Sequence, residues 1–448
     1  MSEARKNERR SLWKAGVLAA FLGAAASALI PGAPASAQPA PPRTGATAKT
    51  PAAPKVIAIV NALVHTGTGE ILEDASVIIA GNTIREVGRG IAAPAGAEVI
   101  AVKGSVVTPG LVEPLTSIGL VEISLEDATR DDEQGGDDPI RAGFRASDGY
   151  NPASSVIPIT RAEGITSVGA VPTGGLIAGQ SAWVDLTGAT AAEAIAQAPL
   201  AIHVNLAAEA LKSGGHATAI LRVREAFDDA RVFARTRAAW ERNQSRRFAP
   251  SRLDLEALAL ATAPGGRVPV VFHVHRAADI LAALGVAKEM GLRAIIAGGA
   301  EAWKVKDALA AGKTPVIVLP FDSDPVSFDT IAAREDNAAI LHAAGVPLAI
   351  STGSTHDARK LRQAAGNAVR AGLPHAAAIT ALTRGAAEAF GMGARYGTLA
   401  KGLAANVVVW SADPLEVSSR PVHVMIRGQA MSLRTRQTEL FERYRKAP

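Results

Sequence analysis

Two histidines, His273 and His275, stand two residues apart in the apolar run VPVVFHVHRAADI. Residues i and i+2 of a β-strand point to the same face, so the pair offers two imidazoles to one point, the spacing a divalent metal needs. Carboxylates follow other apolar runs: Asp322 and Asp324 in LPFDSDP, and Glu209 in HVNLAAEALK. His273, His275 and Glu209 are therefore the metal-ligand candidates. Asp322 and Asp324 are the catalytic candidates, either completing the coordination or acting as general base. Arg276, and the backbone amides of Gly174 and Gly175 in PTGGLIAGQSAW, are candidates to hold an anion or carbonyl of a ligand. Each group also has a plainer reading: hydrogen-bonded core histidines, an Asp-x-Asp turn before proline and a tight strand-end turn. Ser354, His356 and Asp357 in STGSTHD are sequence neighbours, which is not how a nucleophilic triad is usually assembled.

The elements that must position these groups are apolar strands such as RVPVVFHVH, LRAIIAGG, TPVIVLP and VPLAISTG, each followed by an alanine-rich helical stretch. Alternating strands and helices imply a parallel sheet, most economically a (β/α)8 barrel over residues 109–396, with its active face at the C-terminal ends of the strands. A doubly wound open sheet has the same spacing. Short β-branched runs over 55–108, with a turn at Gly81-Asn82, and again over 397–432, predict one small β-sandwich built from both terminal segments. The run LEDATRDDEQGGDDPIRAG, with seven carboxylates from Glu126 to Asp138, offers oxygen ligands for Ca²⁺. It reads more simply as a solvated loop.

The order VTPGLVE, PVVFHVHRAADI, GAEAW, GVPLAISTGS, ALTRGAAEAFGM and YGTLAKGLAANVVVWSADPLE resembles the amidohydrolase superfamily, in its branch near the imidazolonepropionases. That resemblance runs from Lys55 through nearly all of the rest of the chain. It implies hydrolysis of an amide or other C–N bond in a small, often cyclic substrate, by a metal-activated water. The family holds its metal with His-x-His on strand 1, histidines on strands 5 and 6 and an aspartate on strand 8. The matching positions here are Leu115 and Ser117, His273 or His275, Gly298 and Gly353. The family's standard metal site is therefore expected to be absent, and one zinc-like ion would need a site rebuilt around His273 and His275. Two alternatives stand beside a hydrolase with such a site: a non-catalytic descendant that binds a small ligand or assists a partner enzyme, and a metal-free hydrolase.

The 448 residues, 48% hydrophobic and 20% charged, suffice for a large core. The absence of cysteine excludes disulfides, thiolate metal sites and a lipidated cysteine. Residues 1–37 read as an export signal: Arg9-Arg10-Ser11-Leu12-Trp13-Lys14, then an apolar run shorter than the roughly 20 residues a membrane span needs, then Ala35-Ser36-Ala37. The paired arginines point to the twin-arginine route. This segment carries five Lys or Arg against two Glu, so its removal takes the net charge from +5 to +2. No basic stripe with interleaved aromatics follows, which argues against a nucleic-acid partner. Residues 38–54, QPAPPRTGATAKTPAAP, read as an extended linker. The expected setting is periplasmic, with a small-molecule partner, no membrane contact after cleavage, and a homo-oligomer or paired amidohydrolase as the possible assemblies. Mature protein should begin at Gln38 in the periplasm, and replacing Arg9 and Arg10 by lysine should block export. Unchanged export of that variant, seen by cell fractionation, would point to general secretion.

Overall fold

The computed structural model describes residues 55–445. The expected signal and linker lie outside them. The chain enters on β1 (Val56–His65), β2 (Ile71–Ala80) and β3 (Thr83–Arg89), paired antiparallel in that order. Ala80 pairs with Thr83 across Gly81-Asn82, and Gly81 takes φ +60°, as a two-residue hairpin turn requires. β4 (Glu98–Ala101) and β5 (Val106–Pro109) then lie parallel to β1.

β6 (Leu111–Thr116) and β7 (Ile165–Ala170) run parallel. The link 171–176 after β7 is far shorter than the dozen or so residues a parallel crossover takes, and the chain turns straight back. β8 (Ile177–Gln180) and β9 (Ala182–Asp185) form one descending run broken at Ser181, with β9 antiparallel to β7. β10 (Ile195–Gln197) pairs antiparallel to β9, and β11 (Ile202–Asn205) pairs antiparallel to β8. From there β11, β12 (Val270–Val274), β13 (Ala294–Gly298), β14 (Val316–Val318) and β15 (Leu348–Ile350) are parallel neighbours. The middle of the chain thus holds two sheets, ordered β10-β9-β7-β6 and β15-β14-β13-β12-β11-β8. It differs from the closed, all-parallel barrel expected from the spacing, because the short link reverses residues 177–185 and, among the described residues, no backbone ladder joins β15 to β6.

Both sheets nevertheless feed one interior. Val112, Trp183, Val271, Ile295, Ile317 and Ala349 belong to one buried cluster, while Val270, Phe272, Val274, Ile296 and Ile350 pack in another. Parallel strands buried on both faces become continuous apolar runs, and the period of two decides which residue looks inward.

A carboxylate spans the gap between β6 and β15. Glu113 is fully buried and accepts from Thr352 N at 3.0 Å, Thr352 Oγ1 at 2.9 Å, Leu115 N at 3.2 Å and the Ser351 hydroxyl. Burial pushes its pKa from 4.5 up to about 7, against the pull of those four donors.

The terminal sheet is completed from the far end of the chain by β16 (Val407–Trp410), antiparallel to β5, then β17 (Pro421–Ile426) and β18 (Gln429–Ala430). Fully buried Asp185 ties this end to the middle. It accepts from Ser167 Oγ at 2.6 Å, Tyr396 OH at 3.0 Å, Arg427 Nε at 2.6 Å and Asn406 Nδ2 at 3.3 Å.

Because folded Glu113 keeps its proton to about pH 7 while the unfolded chain releases it near 4.5, its ionisation lowers stability as pH rises through that window. The shift corresponds to about 3 kcal/mol. Urea midpoints at pH 5 and pH 8 should fall more for the native chain than for Glu113→Gln. Glu113→Ala, which strands four donors, should lose about 3 kcal/mol or more at either pH. Equal pH slopes for the native chain and Glu113→Gln would contradict this account of the seam.

Candidate active site

The C-terminal ends of the parallel strands surround a cavity of about 220 Å³. Leu115 and Thr116 enter it from β6, Ser117 from just beyond it, Val171 to Gly174 from the turn after β7, His203 and Asn205 from β11, His273 from β12, Leu319 from beyond β14, and Gly353 and Thr355 from beyond β15. No Asp, Glu, Lys or Arg is among its lining residues.

Its polar centre is an imidazole pair. His203 Nδ1 lies 2.9 Å from His273 Nε2, and His203 Nε2 lies 2.8 Å from Ser181 Oγ at the break between β8 and β9. Burial, reinforced by His273, holds His203 well below the ordinary imidazole range. Burial, reinforced by His275, brings His273 down to about 4. Both rings are therefore neutral at pH 7. Asn205 pairs in register with His273 across β11 and β12, and its Oδ1 accepts from Ala207 N at 3.3 Å. Ser117 Oγ donates to Val171 O at 3.2 Å and Thr116 Oγ1 to Ser354 O at 3.0 Å, so neither hydroxyl is a free donor to the cavity.

The structure parts the two histidines expected to act together. β12 ends at Val274, and His275 turns away into a separate cavity of about 20 Å³ lined also by Gly298, Asp322 and Asn337. The His275 ring packs over Gly298, where an added Cβ would come within 2.6 Å of it. Burial lowers the pKa of His275, and Asp322 and Asp329 partly restore it. His275 and Asp322 thus share a chamber that His273 does not line. Asp324 is exposed and lines neither cavity. Glu209 is paired with Lys212 at 2.7 Å instead of standing by the histidines. Arg276 lies 3.4 Å from Asp279 at the start of the helix Ala277–Met290. Gly174 lines the main cavity, and Gly175 packs against Arg141; their φ values of +73° and +69° are those of a turn that favours glycine.

The acidic run folds onto the rim. Buried Asp132 accepts from Thr173 Oγ1 at 2.8 Å and pairs with Arg130 at 3.3 Å, and Arg141 pairs with Glu133 at 3.0 Å and donates to Asp138 O at 2.6 Å. His203, Asn205, Ser181 and Glu113 escaped the sequence reading. The signal for two of them was the alternation in IHVN, which sets His203 and Asn205 on one face.

The segment 325–431 matches the amidohydrolase family. The amidohydrolase tasK of Hapsidospora irregularis is 30% identical over 183 residues, 40% of this chain and 19% of its own length, so the chain spans about a fifth of that relative. An amidohydrolase from Thermotoga maritima MSB8 superposes with a TM-score of 0.76 at 25% identity, over 84% of this chain and 100% of that one. A zinc-bound adenosine deaminase from Xanthomonas campestris shares the fold, with a TM-score of 0.52 at 18% identity over 88% and 98% of the two chains. The likeness to the amidohydrolase family thus rests on residues 325–431, and the solved structures of similar fold include amidohydrolases.

A neutral, buried pair has a direct signature. The His273 ring should titrate near pH 4, followed by its carbon-bound proton resonances. Stability should fall as pH drops from about 6.5 to about 4, where the unfolded chain takes up protons that the folded pair refuses. A titration of His273 at or above pH 6 would contradict the closed pair.

Proposed function

We propose that this chain is an exported amidohydrolase-type hydrolase that acts on a C–N bond of a small, uncharged amide held at the strand ends, in a frame that works as the family's barrel does despite its open seam. The observation that carries the reading is His273, a neutral imidazole whose Nε2 is taken by His203 and whose Nδ1 is the ring nitrogen left to a cavity free of charged side chains. Likeness to the Thermotoga amidohydrolase and the order of sequence segments near the imidazolonepropionase branch support the reaction class. The expected twin-arginine signal supports a periplasmic setting. Among the described residues no helix is long and apolar enough to cross a membrane.

The residues do not fit the family's metal. A catalytic zinc takes three protein ligands, whereas the cavity offers one open ring nitrogen. Leu115, Gly298 and Gly353 bring no donor, the neutral Ser117 hydroxyl is a poor ligand for zinc, which takes His, carboxylate or thiolate, and among the described residues no group of three or more His, Cys, Asp or Glu could hold an ion. In this reading His273 takes the proton of an attacking water and returns it to the leaving nitrogen. A base with a pKa of about 4 does this less readily than one near 7, so turnover should be slow. The missing donors favour a second reading, in which the cavity binds such a molecule without cleaving it, alone or beside a partner enzyme.

Purified mature protein, loaded with Zn²⁺ or Mn²⁺ and dialysed, should retain well under one ion per chain by elemental analysis. On a panel of primary amides, lactams and dipeptides, turnover should survive a chelator and drop about 100-fold or more in His273→Ala, but much less in His275→Ala. Binding without turnover selects the second reading. One tightly held ion per chain, lost together with activity when His273 and His275 are both replaced by alanine, would overturn both.

A further inference from the structure

We propose that Ser181 and His203 fix His273 as the tautomer protonated on Nε2, so that a bare Nδ1 faces the ligand beside the amide donor of Asn205. This deepens the second of the preceding readings, an amide bound without cleavage, since it rests on the ligand occupying the same cavity with its N–H on the one lone pair that could otherwise take a proton from water. The chain of hydrogen bonds sets the protons one by one. Ser181 Oγ donates to Ala201 O at 3.3 Å, so toward His203 Nε2 at 2.8 Å the hydroxyl oxygen accepts and the ring nitrogen donates. A neutral imidazole carries one N–H. His203 Nδ1 is then bare, and across 2.9 Å it accepts from His273 Nε2. His273 has no proton left for Nδ1. The reverse arrangement, with Ser181 donating to His203, gives up the bond to Ala201 O and ends with one hydrogen bond fewer.

Asn205 supplies the complement. Its Oδ1 accepts from Ala207 N at 3.3 Å, which turns Nδ2 into the free end of the amide. Asn205 and His273 are register partners on adjacent parallel strands, about 4.8 Å apart. An acceptor and a donor side by side match a ligand edge that carries N–H next to C=O, as a primary amide or a lactam does and a trans secondary amide does not. Both ring nitrogens of His203 are engaged within the chain of hydrogen bonds, so His203 and Ser181 act through His273 and are positioning residues.

The readout is ¹⁵N NMR of the histidine rings in the mature full chain at pH 7, where a bare ring nitrogen and an N–H resonate far apart. Native His273 should show Nδ1 bare and Nε2 protonated. Ser181→Ala should shift Nδ1 toward the N–H position, because the bias between the two arrangements is gone, while Ser181→Thr, which keeps the hydroxyl, should restore the native pattern. Added 2-pyrrolidinone should move the His273 Nδ1 resonance, and N-methyl-2-pyrrolidinone should bind about tenfold more weakly or worse. A proton on Nδ1 in the native chain overturns the proposal even if no variant folds, as does an unchanged tautomer in folded Ser181→Ala. Absence of turnover with lactam binding intact removes the hydrolase and leaves this assignment standing.

Discussion

The strand ends stay together because a buried carboxylate does what a backbone ladder does elsewhere. Between β15 and β6 the four donors that converge on Glu113 come from both sides of the seam: Leu115 N from β6, and Ser351 and Thr352 from just beyond β15. Four donors are enough to satisfy an ionised carboxylate, yet full burial still drives its pKa to about 7. Desolvation therefore outweighs the hydrogen bonds at this site. The cavity depends on the outcome, since Leu115, Ser117 and Gly353, which line it, flank the residues that Glu113 holds.

A cavity without formal charge follows a consistent logic. The rim's carboxylates are engaged before they reach the interior: Asp132 with Arg130 and Thr173, Glu133 with Arg141. Two neutral imidazoles and one carboxamide are left to mark direction inside. At imidazoles withdrawn from water a hydrogen bond is stronger than in solution, and an unpaired polar group costs correspondingly more. The identity of each proton then matters more than net charge.

Glycine at 298 and the ring of His275 are mutually dependent. Gly298 has φ +86°, and a Cβ there would approach the His275 ring to 2.6 Å. The position at which the resemblance places a histidine is thus occupied in space by a histidine from the neighbouring strand's end. That ring opens on the small chamber with Asp322 and Asn337, away from the His203–His273 pair.

Periodicity in the sequence carried much of this protein. Continuous apolar runs marked β12 to β15 as strands buried on both faces, Gly81-Asn82 marked a hairpin, and the period of two set His273 on the interior face. Even the reversal of residues 177–185 was legible in principle, because a link as short as 171–176 cannot make a parallel crossover. The sequence could not say which inward groups meet. Strand register, which pairs Asn205 with His273 and brings His203 within 2.9 Å of it, is a relation between segments about 70 residues apart. The stopping point of β12 at Val274 is equally a matter of packing, and with the room left at Gly298 it sends His275 to a different chamber. Glu209 and Asp324 failed as partners for the same reason: spacing fixes the face of a strand, while only tertiary contacts fix what stands opposite it.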